Sequence, residues 1–208
     1  IVRRLVGSEM CIRDRSTPYD ISTATFSVAI DHDPSMSGNP RQIRFNKDGS
    51  RMFIHMRFRN FTQHSKIFQY ELSEKFSISS ATYNGVFFHV GNEVTNVFHS
   101  FGFNQQGTML YASDGSFSVA GSGVVHQYSL SVAFDLSSTI TFLRSQDLEA
   151  LADTTTARGA REPSAVSFNQ DGTRMFLVES TGNEINQYTL SEAFNIAVSY
   201  THLTLPTT

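Results

Sequence analysis

An eleven-residue stretch that recurs three times constrains the fold of this chain more than any other feature. Its copies occupy 43–53, 100–110 and 166–176, and two of them contain the run Phe-Asn-x-Asp-Gly. The phenylalanine before each turn recurs at Phe45, Phe103 and Phe168, spacings of 58 and 65 residues. Such a period is typical of repeat architectures, in which each unit buries its apolar face against the next.

Two further motifs follow each copy in the same order. A motif built on Gln-Tyr-x-Leu-Ser centres on Tyr70, Tyr128 and Tyr188, which are 58 and 60 residues apart. A third element then starts at a phenylalanine, as in Phe-Ser-Ile-Ser-Ser-Ala-Thr at 76–82. The segment 19–25, Tyr-Asp-Ile-Ser-Thr-Ala-Thr, matches this third element although no first or second motif precedes it.

Each repeat predicts four short strands. In the first repeat, apolar and polar residues alternate up to Phe45, the turn 46–49 carries Asn, Asp and Gly, and a second strand returns over 51–56. The third and fourth strands are predicted over 66–72 and about 81–90. The second repeat lacks the turn aspartate, but we expect Gly107 to preserve the turn because it supplies the positive φ.

Four strands in about 60 residues, with apolar residues on both faces, is the pattern of β-propeller blades. The runs F-N-x-D-G-x-x-M-F and I-x-Q-Y-x-L-S-x-x-F-x-I-S resemble the YVTN-type, lactonase-like propeller repeats of exported bacterial proteins. The resemblance covers nearly all of 16–197 and implies an extracellular or cell-surface location. The predicted fold is therefore all-β, an open partial propeller of about three four-stranded antiparallel blades, with apolar faces exposed at both ends.

Both ends of the chain are predicted to lie outside the fold. Residues 10–14 and 198–202 can be encoded by DNA strings that are reverse complements of each other, as in sequencing adapters read through as coding sequence. We therefore interpret the chain as a fragment of a larger propeller. The expected divisions are adapter-derived ends at 1–15 and 198–208, the last strand of a preceding blade at 16–38, blades at 39–97 and 98–162, and a truncated blade at 163–197.

Setting the ends aside narrows the classes of function. The one cysteine, Cys11, lies in the first adapter segment, so thiolate metal sites and a cysteine nucleophile are not expected. The chain has 16 basic and 19 acidic residues, and the two ends hold four of the basic and two of the acidic ones. The remaining 12 basic and 17 acidic residues give a net charge of -5. This negative net charge does not indicate a nucleic-acid-binding protein. No apolar run is long enough to span a bilayer.

Candidate binding residues lie in the loops predicted on one face of the propeller. Asp31 and Asp33 could share a metal ligand, but a solvated turn before Pro34 is the favoured interpretation, and neither a metal nor another cofactor is expected. The histidines on or beside predicted strands are interpreted as structural, and no catalytic residue is assigned. Arg57, Arg59 and His64 could bind an anionic or sugar ligand, but a solvated loop is the favoured interpretation. Together with Arg158 and Arg161 they are the binding candidates of the loop face.

Two functions remain open at this stage. The favoured hypothesis is a non-catalytic binding or scaffold module of an exported or surface protein, whose partners would be a protein or carbohydrate ligand and the remaining blades of the same chain. The alternative is a lactonase-like hydrolase whose site is completed by further blades. The innermost strands offer Arg41, Arg44, His99 and serines at their axial ends, which favours binding, although a fold alone does not decide function.

Overall fold

Eleven β-strands account for most of the structure, a computed structural model that describes residues 20–30, 39–57, 66–90, 97–115, 123–148, 163–180 and 184–197. Two short 3-10 helices, Ile21–Thr23 and Ile78–Ser80, lie outside the strands. The strands are β1 (Asn39–Phe45), β2 (Arg51–Arg57), β3 (Lys66–Leu72), β4 (Ala81–His89), β5 (Val97–Phe103), β6 (Met109–Gly115), β7 (Val124–Leu130), β8 (Ile140–Asp147), β9 (Pro163–Phe168), β10 (Arg174–Glu179) and β11 (Glu184–Thr189).

The strands form three antiparallel sheets in chain order. β1 to β4 make blade one, β5 to β8 make blade two, and β9 to β11 make the described part of blade three. β1, β5 and β9 are the innermost strands, since β5 contacts both β1 and β9. The predicted all-β, open partial propeller is confirmed, and the predicted second, third and fourth strands of the first repeat match β2, β3 and β4 to within one residue.

The repeated turn is held by the same contacts in each blade. The side-chain Oδ1 of Asn46, Asn104 or Asn169 accepts a hydrogen bond from the backbone N–H five residues later, at 2.8 to 3.0 Å. In blade two the turn is kept without an aspartate, as predicted, and Gly107 has a φ of 74°. The asparagine and the glycine are therefore the residues that this turn requires.

A phenylalanine after each third strand closes over the turn glycine. Phe134 has a φ of 54°, an uncommon left-handed conformation for this residue, and its backbone N–H donates to the carbonyl of Gly107 at 2.9 Å. A Cβ on Gly107 would lie 2.1 Å from the Phe134 ring. Phe76 on Gly49 and Phe194 on Gly172 repeat this arrangement, so each blade ties its innermost hairpin to its outer half.

The blades pack face to face around two shared apolar clusters. One cluster joins Phe53 and Ile67 of blade one to Phe98 and Phe101 of blade two, and all four are at most 2% exposed. The other joins blade two to blade three through residues such as Tyr111. We call these contacts junction one–two and junction two–three.

Buried glutamines from the second motif cross both junctions. Gln69 accepts a hydrogen bond from the backbone N–H of Leu136 at 2.7 Å. Gln127 accepts one from Ile196 at 3.3 Å and donates to the carbonyl of Phe194 at 3.0 Å. The repeated glutamine of blades one and two therefore binds the third element of the next blade.

Apolar side chains are exposed at both ends of the stack, as the sequence predicted. Ile43 on β1 is 46% exposed, and Ile185 on β11 is 77% exposed. The segments interpreted as adapter-derived, 1–15 and 198–208, lie outside the described residues, so their origin and the proposed divisions of the chain stay predictions. Within the described part of the chain, no helix has the length and apolar character needed to cross a membrane.

Candidate functional site

A β-bulge occurs at the same repeat position in all three innermost strands. The pairing register shifts between Pro40 and Gln42 in β1, between Phe98 and Ser100 in β5, and opposite Val178 and Glu179 in β9. The positions that the pairing register skips at these shifts are Arg41, His99 and Ser164, which we call the bulge residues. Bulges re-aim side chains and are enriched beside functional sites, so these residues form the candidate site.

The bulge residues lie near the start of the innermost strands. In blade one, β2 ends at this same edge of the sheet. Arg41 is exposed, whereas His99 and Ser164 are half-buried. Arg57 ends β2 and pairs with Asn39, two residues before Arg41. Two arginines from adjacent strands therefore lie at one end of blade one, an arrangement that suits an anion or an electron-rich sugar.

His55 lies near these cations in the sheet, because it pairs with Gln42, the neighbour of Arg41, and precedes Arg57 by two residues on β2. Its side chain is fully buried, and its ring centroid is 4.2 Å from that of Phe98 in blade two. Burial, and after it the charges of His99, Arg41 and Arg57, lower the pKa of His55 to about 3. His55 is therefore neutral at physiological pH, and His99, Arg41 and Arg57 all lie close enough for their charges to act on it.

The sequence-predicted binding residues are only partly covered by the structure. Arg57 lies at the end of β2, next to the loop to which it was assigned. Arg59, His64, Arg158 and Arg161 lie outside the described residues, as do Asp31 and Asp33, so their roles stay predictions. Among the described residues, no group of three His, Cys, Asp or Glu side chains could hold a metal ion.

A hydrogen-bonded row of Asp, His and Ser crosses blade two. His126 on β7 is 2.9 Å through Nε2 from Oδ1 of Asp114 on β6, and 3.2 Å through Nδ1 from the hydroxyl of Ser145 on β8. Asp114 and His126 are buried, whereas Ser145 is exposed. The row contains the residue types of a nucleophilic triad, although the ring nitrogens are exchanged relative to the serine protease arrangement.

Sequence reasoning missed this row and the three bulges. Asp114 occupies the repeat position of Met56, and His126 occupies that of Phe68. Two polar residues at positions that are apolar in the first repeat were the signal that could have revealed the row. His55, His89, His99 and His126 do lie on strands, as expected.

The sheets and their packing define an open partial β-propeller, and solved structures show the same fold. The chain is similar to two proteins assigned provisionally as 6-phosphogluconolactonases, each with a TM-score of 0.51 at 12% identity. The match to the Bacteroides fragilis protein covers 80% of this chain and 38% of that protein. The match to the Bacteroides uniformis protein covers 86% of this chain and 42% of that protein. A protein from Lactobacillus plantarum gives a TM-score of 0.50 at 13% identity, covering 79% and 40%.

These likenesses concern the fold. At 12 to 13% identity they extend to the β-propeller architecture and not to activity. The chain spans about two fifths of the length of each of these structures. No family model matches the chain, and no curated protein matches its sequence.

Proposed function

We propose that this chain is a non-catalytic binding or scaffold module of an exported or surface bacterial-type β-propeller protein. One observation carries the proposal: bulges at the same position of three innermost strands place Arg41, His99 and Ser164 at the end of the blades where Arg57 also lies. This set offers hydrogen-bond donors and positive charge, which are the features that bind an anionic or sugar ligand. Arg59, His64, Arg158 and Arg161 are proposed to extend this binding face.

Ligand binding by the wild-type chain and by Arg41→Ala/Arg57→Ala tests the proposal. The probe is 6-phosphogluconate, a sugar acid phosphate chosen because two similar structures carry names that imply it as a product. Calorimetric titration should show binding by the wild-type chain and at least tenfold weaker binding by the double variant. The control is Lys47→Ala, which removes an exposed cation from the turn at the opposite end of β1.

Equal affinity in all three proteins would disprove the role of the arginines. The wild-type chain is also tested with inorganic phosphate and neutral hexoses. If it binds none of these and no 6-phosphogluconate, the support for a small-ligand module is removed and only the scaffold role is left.

The row of Asp114, His126 and Ser145 favours a hydrolase as the second candidate. Under the binding proposal the row is structural, because it links three adjacent strands of one sheet and its exposed member lies on the outermost strand. A fluorophosphonate probe, which labels activated serines, should leave Ser145 unmodified, as judged by mass spectrometry against Ser145→Ala. Labelling at Ser145 that is lost in His126→Gln would instead support the lactonase-like alternative.

A further inference from the structure

The outermost strand of blade one contains a bulge that is larger than its counterpart in blade two. The register of β4 jumps by four residues, from Tyr83 to Phe87, while its partner β3 advances by two. The segment 84–86 therefore lies opposite a single residue of β3. In blade two the corresponding jump in β8 is three residues, from Phe142 to Ser145. Because β4 is the last strand of its sheet, this bulge lies on the outer edge of the blade.

The bulge of β4 contains the dipeptide Asn84-Gly85, and both residues are exposed. Within the described part of the chain, no hydrogen bond holds the side chain of Asn84. Gly85 has a φ of 81°, and a Cβ added to it would meet nothing within 4 Å. The side-chain amide of Asn84 and the backbone of Gly85 therefore lie on an open surface, where the regular ladder of the sheet is interrupted.

An asparagine followed by glycine can react with its own backbone. The nitrogen of the glycine is close enough in the chain to attack the side-chain carbonyl carbon and close a five-membered ring, and such intramolecular reactions are strongly favoured over their bimolecular equivalents. Glycine permits the attack because it has no Cβ to obstruct the approach. Hydrogen bonds that fix the side chain or the backbone nitrogen oppose the reaction, so the surrounding structure decides whether it occurs.

We propose that Asn84 is a site of spontaneous deamidation. The Gly85 nitrogen forms a bond to Cγ of Asn84, the bond from Cγ to Nδ2 breaks, and ammonia leaves with the proton of the Gly85 nitrogen. Water then adds to one of the two carbonyl carbons of the resulting succinimide, whose bond to nitrogen breaks. Addition at Cγ gives aspartate, and addition at the main-chain carbonyl carbon gives isoaspartate, in which the main chain runs through Cγ. Either product carries one negative charge more than asparagine.

Three Asp-Gly pairs in the same chain could form this ring by loss of water, but the fold holds them. In two turns, Asp48 and Asp171 accept hydrogen bonds from the backbone and hydroxyl two residues later, at 2.6 to 3.2 Å. The amides of Gly49 and Gly172 donate to the carbonyls of the turn asparagines at 3.2 and 3.1 Å. The third pair begins at Asp114, which is buried. The contacts that restrain these pairs are the ones that the side chain in the bulge lacks.

Comparison of the folded and the unfolded chain tests the proposal. The wild-type chain is incubated at mildly alkaline pH in water enriched in oxygen-18, with and without guanidinium chloride, and its peptides are analysed by mass spectrometry. Each ring opening leaves one heavy oxygen in the peptide. Asn84 should convert in the folded chain at a rate within about threefold of the unfolded rate. The same label at Asp48 and Asp171 should appear at least about tenfold more slowly in the folded chain than in the unfolded one.

Two variants separate the effect of the dipeptide from that of its surroundings. Gly85→Ala adds a Cβ in open space and should slow the conversion of Asn84 at least about tenfold. Gln105→Gly creates the same dipeptide in the turn of blade two, where Asn104 is 7% exposed and its side-chain Oδ1 accepts from a backbone N–H at 3.0 Å. In that variant Asn104 should convert at least about tenfold more slowly than Asn84 of the same molecule. Circular dichroism establishes that each variant is folded.

Several outcomes would overturn the proposal. Asn84 that stays intact in the folded chain while the unfolded chain converts would show that the sheet protects it. Equal rates at Asn84 and Asn104 in the Gln105→Gly variant would show that the dipeptide alone sets the rate. A wild-type rate in Gly85→Ala would exclude attack by the nitrogen of residue 85. If Gln105→Gly fails to fold, the comparison of the folded and unfolded wild-type chain decides.

Discussion

The two junctions between blades share one glutamine contact and differ in nearly everything around it. At junction one–two, Arg51 donates to the carbonyl of Phe134 and lies 3.3 Å from the carboxylate of Asp135. At junction two–three, the hydroxyl of Tyr111 donates to the carbonyl of Phe194 at 2.6 Å, and burial raises the pKa of this tyrosine so that it keeps its proton. The repeat therefore encodes the glutamine, and each junction adds its own polar contacts to the same backbone carbonyl.

A second difference concerns the buried position next to the bulge. In junction two–three this position is Ser113, which donates to the carbonyl of Pro163 at 2.7 Å and is 2.7 Å from the hydroxyl of Ser100. In junction one–two it is His55, and among the described residues neither of its ring nitrogens has a hydrogen-bond partner. Junction two–three is thus satisfied by short hydroxyl contacts, whereas junction one–two depends on a neutral imidazole packed on Phe98.

The largest expected effect comes from the turn glycine that is repeated in each of the three blades. Gly107→Ala forces a Cβ to 2.1 Å from the Phe134 ring and places alanine at a φ of 74°, so we expect a loss of about 3 kcal/mol in the free energy of unfolding. Gly85→Ala is the control, because its φ is 81° but nothing lies within 4 Å, so it should cost only about 1 kcal/mol. Urea denaturation measures both, and equal losses would show that the ring contact is unimportant.

Acid should weaken junction one–two selectively. The pKa of His55 is about 3 in the folded protein, against 6.5 for an ordinary histidine, so between these values the unfolded chain binds a proton that the folded chain does not. The contribution of His55 to stability is therefore fully present above pH 6.5 and is lost as the pH drops towards 3, by about 2 kcal/mol at pH 5.

The variant His55→Leu should flatten this decline, as measured by urea midpoints between pH 7 and pH 4. Ser113→Ala serves as the comparison at junction two–three and should leave the slope as in the wild type. A pH dependence that is unchanged in His55→Leu would contradict the assignment to His55.

Removing the shared glutamine should weaken either junction. Gln127→Ala takes partners from Ile196 and Phe194, and we expect a loss of about 1–3 kcal/mol because a buried amide is left unsatisfied. Gln69→Ala should fall in the same range. Gln187→Ala is the matched variant on blade three, where the equivalent glutamine is half-buried, and it should change the unfolding free energy by less than about 0.5 kcal/mol.

The smallest expected effect is on an ion pair that, among the residues the structure describes, occurs at junction one–two and not at junction two–three. Arg51 and Asp135 have side chains that are 25% and 16% exposed, so solvent screening limits their contribution. Asp135→Asn should cost about 0.5 kcal/mol or less, and 1 M salt should reduce the difference from wild type. A loss above about 2 kcal/mol would mean that the pair, and not the glutamine, holds this junction.

The sequence by itself determined the blade. Period-two alternation, the Asn-x-x-Gly turn and the spacing of the three motifs are local properties, and they were sufficient to predict the second, third and fourth strands of the first repeat. Gly107 could be assigned to the turn without its aspartate because the need for a positive φ depends on the residue itself. The exposed apolar ends also followed, since three blades cannot close a ring.

Only the tertiary structure decided which contacts join one blade to the next. Gln69 and Leu136 are 67 residues apart, and Gln127 and Ile196 are 69 apart, so no local pattern reveals their contacts. The three bulges arise from a mismatch between paired strands, which a single strand's sequence does not specify. The row of Asp114, His126 and Ser145 likewise depends on the register of three strands, because residues distant in the chain meet only once the sheet has formed.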